Sequence, residues 1–233
     1  MIRAIGETAS TNADVLALAA NGAPEGTWLR AEWQSAGRGR LGRLWVSPPG
    51  NLYASTIVRV ASGDPDPATL ALVAAVALEE VATAYIGEDW LRLKWPNDVM
   101  AGVAKLAGIL LERSGDAVVI GFGVNLAHHP DGLERPVTSL AALGAAPPDP
   151  ALFLDDLAAA FARWLARWRG EGLEPVRSRW LARAHPIGTA LAGHGADGPV
   201  EGLFDGIDPS GALLLRLADG TVEMVRAGDV FAL

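Results

Sequence analysis

The heptapeptide GRGRLGR at residues 37–43 limits the fold through the residues on its C-terminal side. Gly37, Gly39 and Gly42 satisfy the G-x-G-x-x-G spacing of dinucleotide-binding turns. That turn works only when a strand runs through it directly into a helix whose N-terminus meets the pyrophosphate. Here the chain continues RLWVSPPGNLYAS, with Pro48 and Pro49 followed by a strand-like run. The dinucleotide reading is therefore rejected. No G-x-x-x-x-G-K-[ST] occurs either, which removes P-loop chemistry.

The same loop is cationic in an acidic chain. Arg38, Arg40, Arg43 and Arg59 lie between Glu32 and Asp64 with no acidic residue among them, while the whole chain carries a formal net charge of -8. Glycines let backbone amides approach a ligand, and arginine forks offer paired donors to carboxylate or phosphate oxygens. Each such hydrogen bond contributes roughly 1.5–3 kcal/mol. Without an anion the arginines repel one another, so the loop is expected to be mobile when empty and ordered when occupied. The competing reading is an exposed basic turn. General nucleic-acid binding is disfavoured by the acidic balance. Cysteine is absent, which excludes thiol nucleophiles, disulfides and cysteine-ligated zinc. No apolar run approaches the roughly 20 residues of a membrane span, and MIRAIGETAS lacks a signal-peptide core, so a cytoplasmic protein without membrane contact is expected.

Periodicity and turn chemistry predict mixed strands and helices. STNADVLALAANGA reads as a short helix with Thr11 as N-cap and a stop at Asn21-Gly22. TWLRAEW and NLYASTIVRV read as strands on either side of the arginine loop. Asp66-Pro67 opens a buried Ala/Leu/Val helix that ends at Gly87. LRLKW is a strand stopped by Pro96-Asn97-Asp98. KLAGILLER and AVVIGFGVNL form a hairpin around Ser114-Gly115-Asp116. Helices occupy the chain from PPDP onward, broken by Gly170, Gly172 and Pro175. After Pro186 come five short strand-like segments, TALAGH, VEGLFDGI, ALLLRLA, TVEMVRA and VFAL, separated by turns such as GADGP, DPSG and DG. The expectation is an α+β fold, a mixed β-sheet with packed helices over residues 1–185. A small C-terminal SH3-like β-barrel over 186–233 completes it.

Several residues invite chemistry, each with a plainer reading beside it. KWPND (94–98) is ordinary turn chemistry as much as a cation beside a carboxylate. Lys105 is either a ligand group or the solvated end of a strand. Gly108 inside an apolar strand marks close approach of a ligand or a backbone. Gly121 and Gly123 repeat that signal ahead of Asn125, with a bulge as the alternative. His128, His129, His185 and His194 read as satisfied or solvated. With no evident nucleophile–base pair, positioning and charge by Arg and Lys would have to carry any reaction.

Read together, STN (10–12), Q-x-x-GRGRxGRxWxSPxGNLY (34–53), KWPND, KLAGIL (105–110) and GxGxN (121–125) resemble the bacterial biotin protein ligases, in that family's order. The tail segment GIDPSGALLL (206–215) looks like the family's C-terminal domain. The resemblance implies the biotin/lipoate protein ligase catalytic fold, similar to class II synthetases, in a single-function form without an N-terminal DNA-binding domain. It implies ATP and biotin as substrates, Mg²⁺ beside them, a biotinyl-5′-adenylate intermediate, and a biotin carboxyl carrier protein as acceptor. DNA is not an expected partner, and a homodimer is compatible with the sequence. By position, Ser10, Thr11, Asn12 and Gln34 would bind biotin's ureido head, with Trp45 lining that pocket and Gly108 letting the biotin tail lie on its strand. Arg38, Gly39 and Arg40 would close over biotin and the adenylate phosphate, and Arg43 would meet the outer phosphates. Lys105 would serve the reacting junction, Asn97 and Asn125 the nucleotide, and Asp98 the metal or the incoming lysine. The aromatic residue with which some relatives cover the adenine has no counterpart between Gly123 and Leu152, which leaves Val137 or Leu140. The alternatives are a lipoate ligase, lacking this arginine loop, and a non-catalytic anion-binding module.

Overall fold

A computed structural model describes every residue except 196, 197, 227, 229 and 233; for 194, 195, 231 and 232 it describes the backbone alone. The larger part is built on a seven-stranded sheet ordered β1-β2-β3-β7-β6-β5-β4. Its strands are β1 (Ile2–Thr8), β2 (Trp28–Gln34), β3 (Leu52–Arg59), β4 (Leu91–Lys94), β5 (Asp98–Ala101), β6 (Ala104–Ser114) and β7 (Ala117–Val124). Only β1 and β2 pair in parallel, joined by helix α1 (Thr11–Ala20); every other neighbour is antiparallel. The predicted 114–116 hairpin is present, with β6 and β7 in register from Ala107–Val124 to Ser114–Ala117.

Alternation along the strands gives the sheet two different faces. One carries the main core: Leu52, Ala54 and Val58 of β3 and Ile120, Phe122 and Val124 of β7 pack with helices α2 (Leu70–Ile86) and α3 (Pro150–Glu171). On the other face Ile57 and Val119 pack with Val15 and Ala19 of α1 in a small separate core. Small residues on α2 let it lie close to the sheet, and its one charged residue buried to 0 % exposure, Glu79, is held by Arg179 and Arg183 of α4 (Glu174–Arg183) at 2.8 and 2.6 Å. The helical stretch Pro67–Ile86, 20 residues long, is long and apolar enough to cross a membrane, contrary to the sequence expectation. Its apolar surface is instead spent on the sheet and on α3, and most of it is buried inside the protein.

Two strands were missed by periodicity. β1 is an exposed edge strand with no apolar alternation. β5 comes so soon after the Pro96-Asn97 reversal that it reads as turn, yet Asp98 already pairs with Lys94 across the β4–β5 hairpin. The N-cap of α1 is Ser10, not Thr11. Ser10 is extended and its carbonyl accepts from Asp14 N at 3.1 Å, while Thr11 is already helical and turns its side chain to other partners.

The C-terminal strands form a five-stranded antiparallel sheet ordered β11-β10-β9-β8-β12: β8 (Ala190–Gly195), β9 (Gly198–Ile207), β10 (Leu213–Arg216), β11 (Val222–Val225) and β12 (Phe231–Ala232). These are the five predicted segments. Ala196 and Asp197 of the predicted GADGP turn, the His194 side chain and Leu233 lie outside the described residues, while Gly195 and Gly198 on either side of that turn pair as the ends of β8 and β9. Trp95 at the end of β4 donates its indole N–H to Gly211 O at 3.0 Å, and Arg177 of α4 reaches Ile207 O at 2.7 Å, tying the two parts together.

Candidate active site

Glycine opens the α1-side face of the sheet. A Cβ on Gly121 would lie 2.1 Å from Asn12 Oδ1, and one on Gly123 would lie 2.6 Å from Cε2 of the Trp45 indole. Gly108, directly opposite Gly123, is roofed by the same indole and by the Lys105 ammonium, which a Cβ would approach to 3.3 and 2.9 Å. The register runs unbroken through Gly121 and Gly123, so these are places of close approach and not a bulge. Above them lies a cavity of about 1000 Å³.

One end of that cavity is neutral and densely hydrogen-bonded. Gln34 Oε1 accepts from Thr11 N at 2.8 Å, and its Nε2 donates to Ser47 Oγ at 3.0 Å. Ser55 Oγ stands 2.8 Å from Thr11 Oγ1 and 2.6 Å from Asn12 Oδ1. Asn12 Nδ2 donates to Glu112 Oε2 at 2.8 Å and, at 3.4 Å, to Leu110 O. Ser10, Thr11 and Asn12 are all buried, placed by the start of α1 against β3 and β6. Such an arrangement suits a compact uncharged group with its own donors and acceptors.

The other end is charged. Asp98, at the start of β5, receives Lys105 Nζ at 2.6 Å and Lys94 Nζ at 3.2 Å. Burial alone would push the Asp98 carboxyl up; the Lys105 ammonium and then Lys94 outweigh it and hold the group below its ordinary value. Arg40 donates to Asn97 Oδ1 at 3.2 Å and to Gly228 O at 3.0 Å, so a residue of the arginine loop touches the C-terminal part. Asn97 is itself fixed by donating to Ile109 O at 2.6 Å. Arg38 Nη2 lies 3.8 Å from Glu112 Oε1. The loop forms a narrow hairpin, with Gly39 N to Arg43 O at 2.7 Å and Trp45 N to Gly37 O at 2.9 Å. Its tip turns through the positive φ of Leu41 and Gly42.

Thirteen of the fourteen residues singled out from the sequence meet at this cavity: Ser10, Thr11, Asn12, Gln34, Arg38, Gly39, Arg40, Arg43, Trp45, Asn97, Asp98, Lys105 and Gly108. Asn125 does not line it. Its buried amide donates to Thr138 O at 2.9 Å, bracing the segment that brings Val137 to the wall. Of the two candidates to cover a base, Val137 lines the cavity and Leu140 is sunk in the core. His185 also lines the cavity but is neither satisfied nor solvated as expected: its Nε2 is buried with no hydrogen-bond partner among the described residues. Burial, then Lys94 and Arg92, pull its pKa below the ordinary value. Three contributors went unrecognised in the sequence. Ser55 and Glu112 sit inside strands and look like solvated positions, and Asn51 accepts from the amides of Leu126, Ala127 and His128 at 2.9–3.0 Å, pinning the turn after β7. For Ser55 and Glu112 the signal in the sequence would have been polar residues at positions where the strand alternates inward. Among the described residues no three His, Asp or Glu side chains gather as a metal site, and both Asp98 oxygens already face lysines.

Residues 7–125 match the model of the biotin/lipoate A/B protein ligase family, and residues 194–233 match the biotin protein ligase C-terminal domain. A biotin–[acetyl-CoA-carboxylase] ligase of Paracoccus denitrificans is 43% identical over 97% of this chain and 98% of its own. One from Mycobacterium tuberculosis is 37% identical over 97% and 86%. Among solved structures, the biotin protein ligase of Aquifex aeolicus in complex with biotin and ATP superposes with a TM-score of 0.88 at 24% identity. That match covers 100% of this chain and 99% of the other, and it shows the shared fold.

Proposed function

The chain belongs to the biotin/lipoate A/B protein ligase family, and on that premise we propose that it is a biotin–[biotin carboxyl carrier protein] ligase. It activates biotin with ATP and passes it to a lysine of the carrier, such as that of acetyl-CoA carboxylase. One observation carries the reading: a single cavity has a neutral hydrogen-bonding end at Ser10, Thr11, Asn12 and Gln34 and a cationic end at Arg38, Arg40 and Lys105. That polarity matches an uncharged bicyclic head joined by an aliphatic tail to a carboxylate. It offers a lipoyl dithiolane, which has no N–H donors, little to bind at the first end.

In the first step a biotin carboxylate oxygen attacks the α-phosphorus of ATP. The new P–O bond forms as the bond to the pyrophosphate oxygen breaks, giving biotinyl-5′-adenylate and pyrophosphate. Lys105, aimed along β6 beside Gly108, meets the junction where charge redistributes, and Asp98 holds it there. Arg38 and Arg40, with Gly39 between them, close over the tail and the α-phosphate, and Arg43 meets the departing phosphates. Trp45 covers the ring and tail along Gly123 and Gly108. Asn97 keeps Arg40 in place beside the nucleotide, and Asn125 acts on it indirectly, by holding Val137 at the wall. In the second step the neutral ε-amine of the carrier lysine attacks the acyl carbon, AMP leaves, and the ammonium proton is lost. No protein nucleophile is required, since a substrate supplies one each time.

Among the described residues no acidic cage gathers for Mg²⁺; the ion would be held chiefly by the phosphates of ATP, where it would neutralise charge beside Arg38, Arg40 and Arg43. The catalytic part ends at residue 185 and the SH3-like part runs from 186 to 233, a division supported by the second sheet beginning at Ala190. The reading places the enzyme in the cytoplasm and includes neither DNA nor a membrane as partner.

Biotin-dependent exchange of labelled pyrophosphate into ATP tests the assignment. Wild type is expected to exchange with biotin and not with lipoate, and Lys105→Ala and Arg40→Ala are each expected to lose most of it. Exchange with lipoate alone, or tight biotin binding with no exchange at all, would replace this reading with one of its two rivals.

A further inference from the structure

Resting on the biotin reading, we infer that Glu112 is a positioning residue that fixes which protons the head-group pocket offers, acting through Asn12 and Ser55 on Thr11. A carboxylate only accepts, so the Asn12 atom 2.8 Å from Glu112 must be Nδ2, and Oδ1 must face Ser55. Asn12 Oδ1 and Ser55 Oγ are 2.6 Å apart, and the only proton available between them is that of the Ser55 hydroxyl. Ser55 has no second proton, so its 2.8 Å contact with Thr11 Oγ1 uses the threonine proton. Thr11 Oγ1, 3.2 Å from Gln34 Oε1, then has no proton left for it. Gln34 Oε1 is satisfied instead by Thr11 N at 2.8 Å. Every donor is used once, and Thr11 Oγ1 turns only lone pairs toward the cavity.

That result selects a ligand that brings an N–H to Thr11, as a ureido ring does. Without Glu112 only the long 3.4 Å contact with Leu110 O opposes the Asn12 amide turning over. Nδ2 would then face Ser55, Ser55 would donate to Thr11, and the threonine proton would pass to Gln34, taking away part of the acceptor. Glu112 itself lies outside the cavity lining, four residues along β6 from Gly108. Its other neighbour, Arg38 at 3.8 Å, offers a competing role as a counter-charge for the loop.

The test is biotin-dependent pyrophosphate exchange in Glu112→Leu, Ser55→Ala, their double variant and Glu112→Gln, with thermal denaturation as the check on folding. Loss of one neutral hydrogen bond predicts a biotin KM raised about five- to tenfold in Glu112→Leu, with kcat and the ATP KM within about twofold. Ser55→Ala should match it, and the double variant should be no worse than either single change, because both break one chain. Glu112→Gln, whose carbonyl still accepts from Asn12, should restore most of the biotin affinity. A changed kcat or ATP KM with an unaltered biotin KM would assign Glu112 to Arg38 and overturn the inference. So would additive effects in folded variants. Absence of biotin-dependent exchange in wild type would instead overturn the function on which it rests.

Discussion

At the scale of single residues, space decides more than charge. Gly121 and Gly123 are where the sheet gives way to Asn12 and Trp45, and a methyl at either must move a functional side chain. Overpacking of this kind costs about 1–3 kcal/mol, which is roughly five- to 150-fold in binding. Gly121→Ala is therefore expected to lower kcat/KM for biotin by about that factor, through KM, while leaving the melting temperature within a few degrees. Steady-state exchange kinetics beside a melt checks it, and an Ala variant with unchanged KM would show that Asn12 has room to retreat. Charge matters most at Asp98. Asp98→Asn would leave Lys105 and Lys94 close together without their shared anion, and Lys105 would no longer be held over Gly108. The expected outcome is a large loss of kcat with a smaller change in biotin KM, read from the same assay.

At the scale of elements, the arginine hairpin shows what the sequence could and could not disclose. Its cations and glycines were legible, as were α2, the 114–116 hairpin and the short strands after Pro186, because local periodicity and turn residues speak directly. The partners of the loop were not. Arg40 finds Asn97 and Gly228 across 57 and 188 residues of chain, and Asn12 finds Glu112 across 100. Contacts of that span depend on sheet order, which no local pattern encodes. β1 stayed hidden because a mostly exposed edge strand, with only Ile5 packed on the small core, needs no apolar alternation. Repulsion among the loop arginines, relieved by substrate anions, predicts that biotin with ATP slows tryptic cleavage after Arg38, Arg40 and Arg43. Asn97→Ala, which cuts one anchor of Arg40, should speed cleavage of the free enzyme, and mass spectrometry of the fragments identifies the bonds. Equal cleavage with and without substrates would mean that the hairpin is held without them.

For the whole molecule, the junction between the two sheets carries the cost of building one cavity from two parts. Thr189 and Val230 of the C-terminal part reach the cavity, and His185 sits at the joint with Lys94 and Arg92 as its charged neighbours. Burial first, and those two cations next, disfavour the imidazolium in the folded state, whereas the unfolded chain leaves the group near its ordinary value of 6.5. The folded pKa is therefore the lower one, and the unfolded state binds more protons between the two. By linkage the stabilising contribution is full above about pH 6.5 and is lost as pH falls through the folded value. Chemical denaturation at stepped pH should show stability declining as pH drops below that point. His185→Gln, which cannot take a proton, should flatten this limb while leaving the deeper acid limb of Asp98 and the other paired carboxylates. If the limb persists in His185→Gln, another group at the joint titrates there. If stability rises on acidification, the imidazolium is stabilised by a contact that outweighs Lys94 and Arg92.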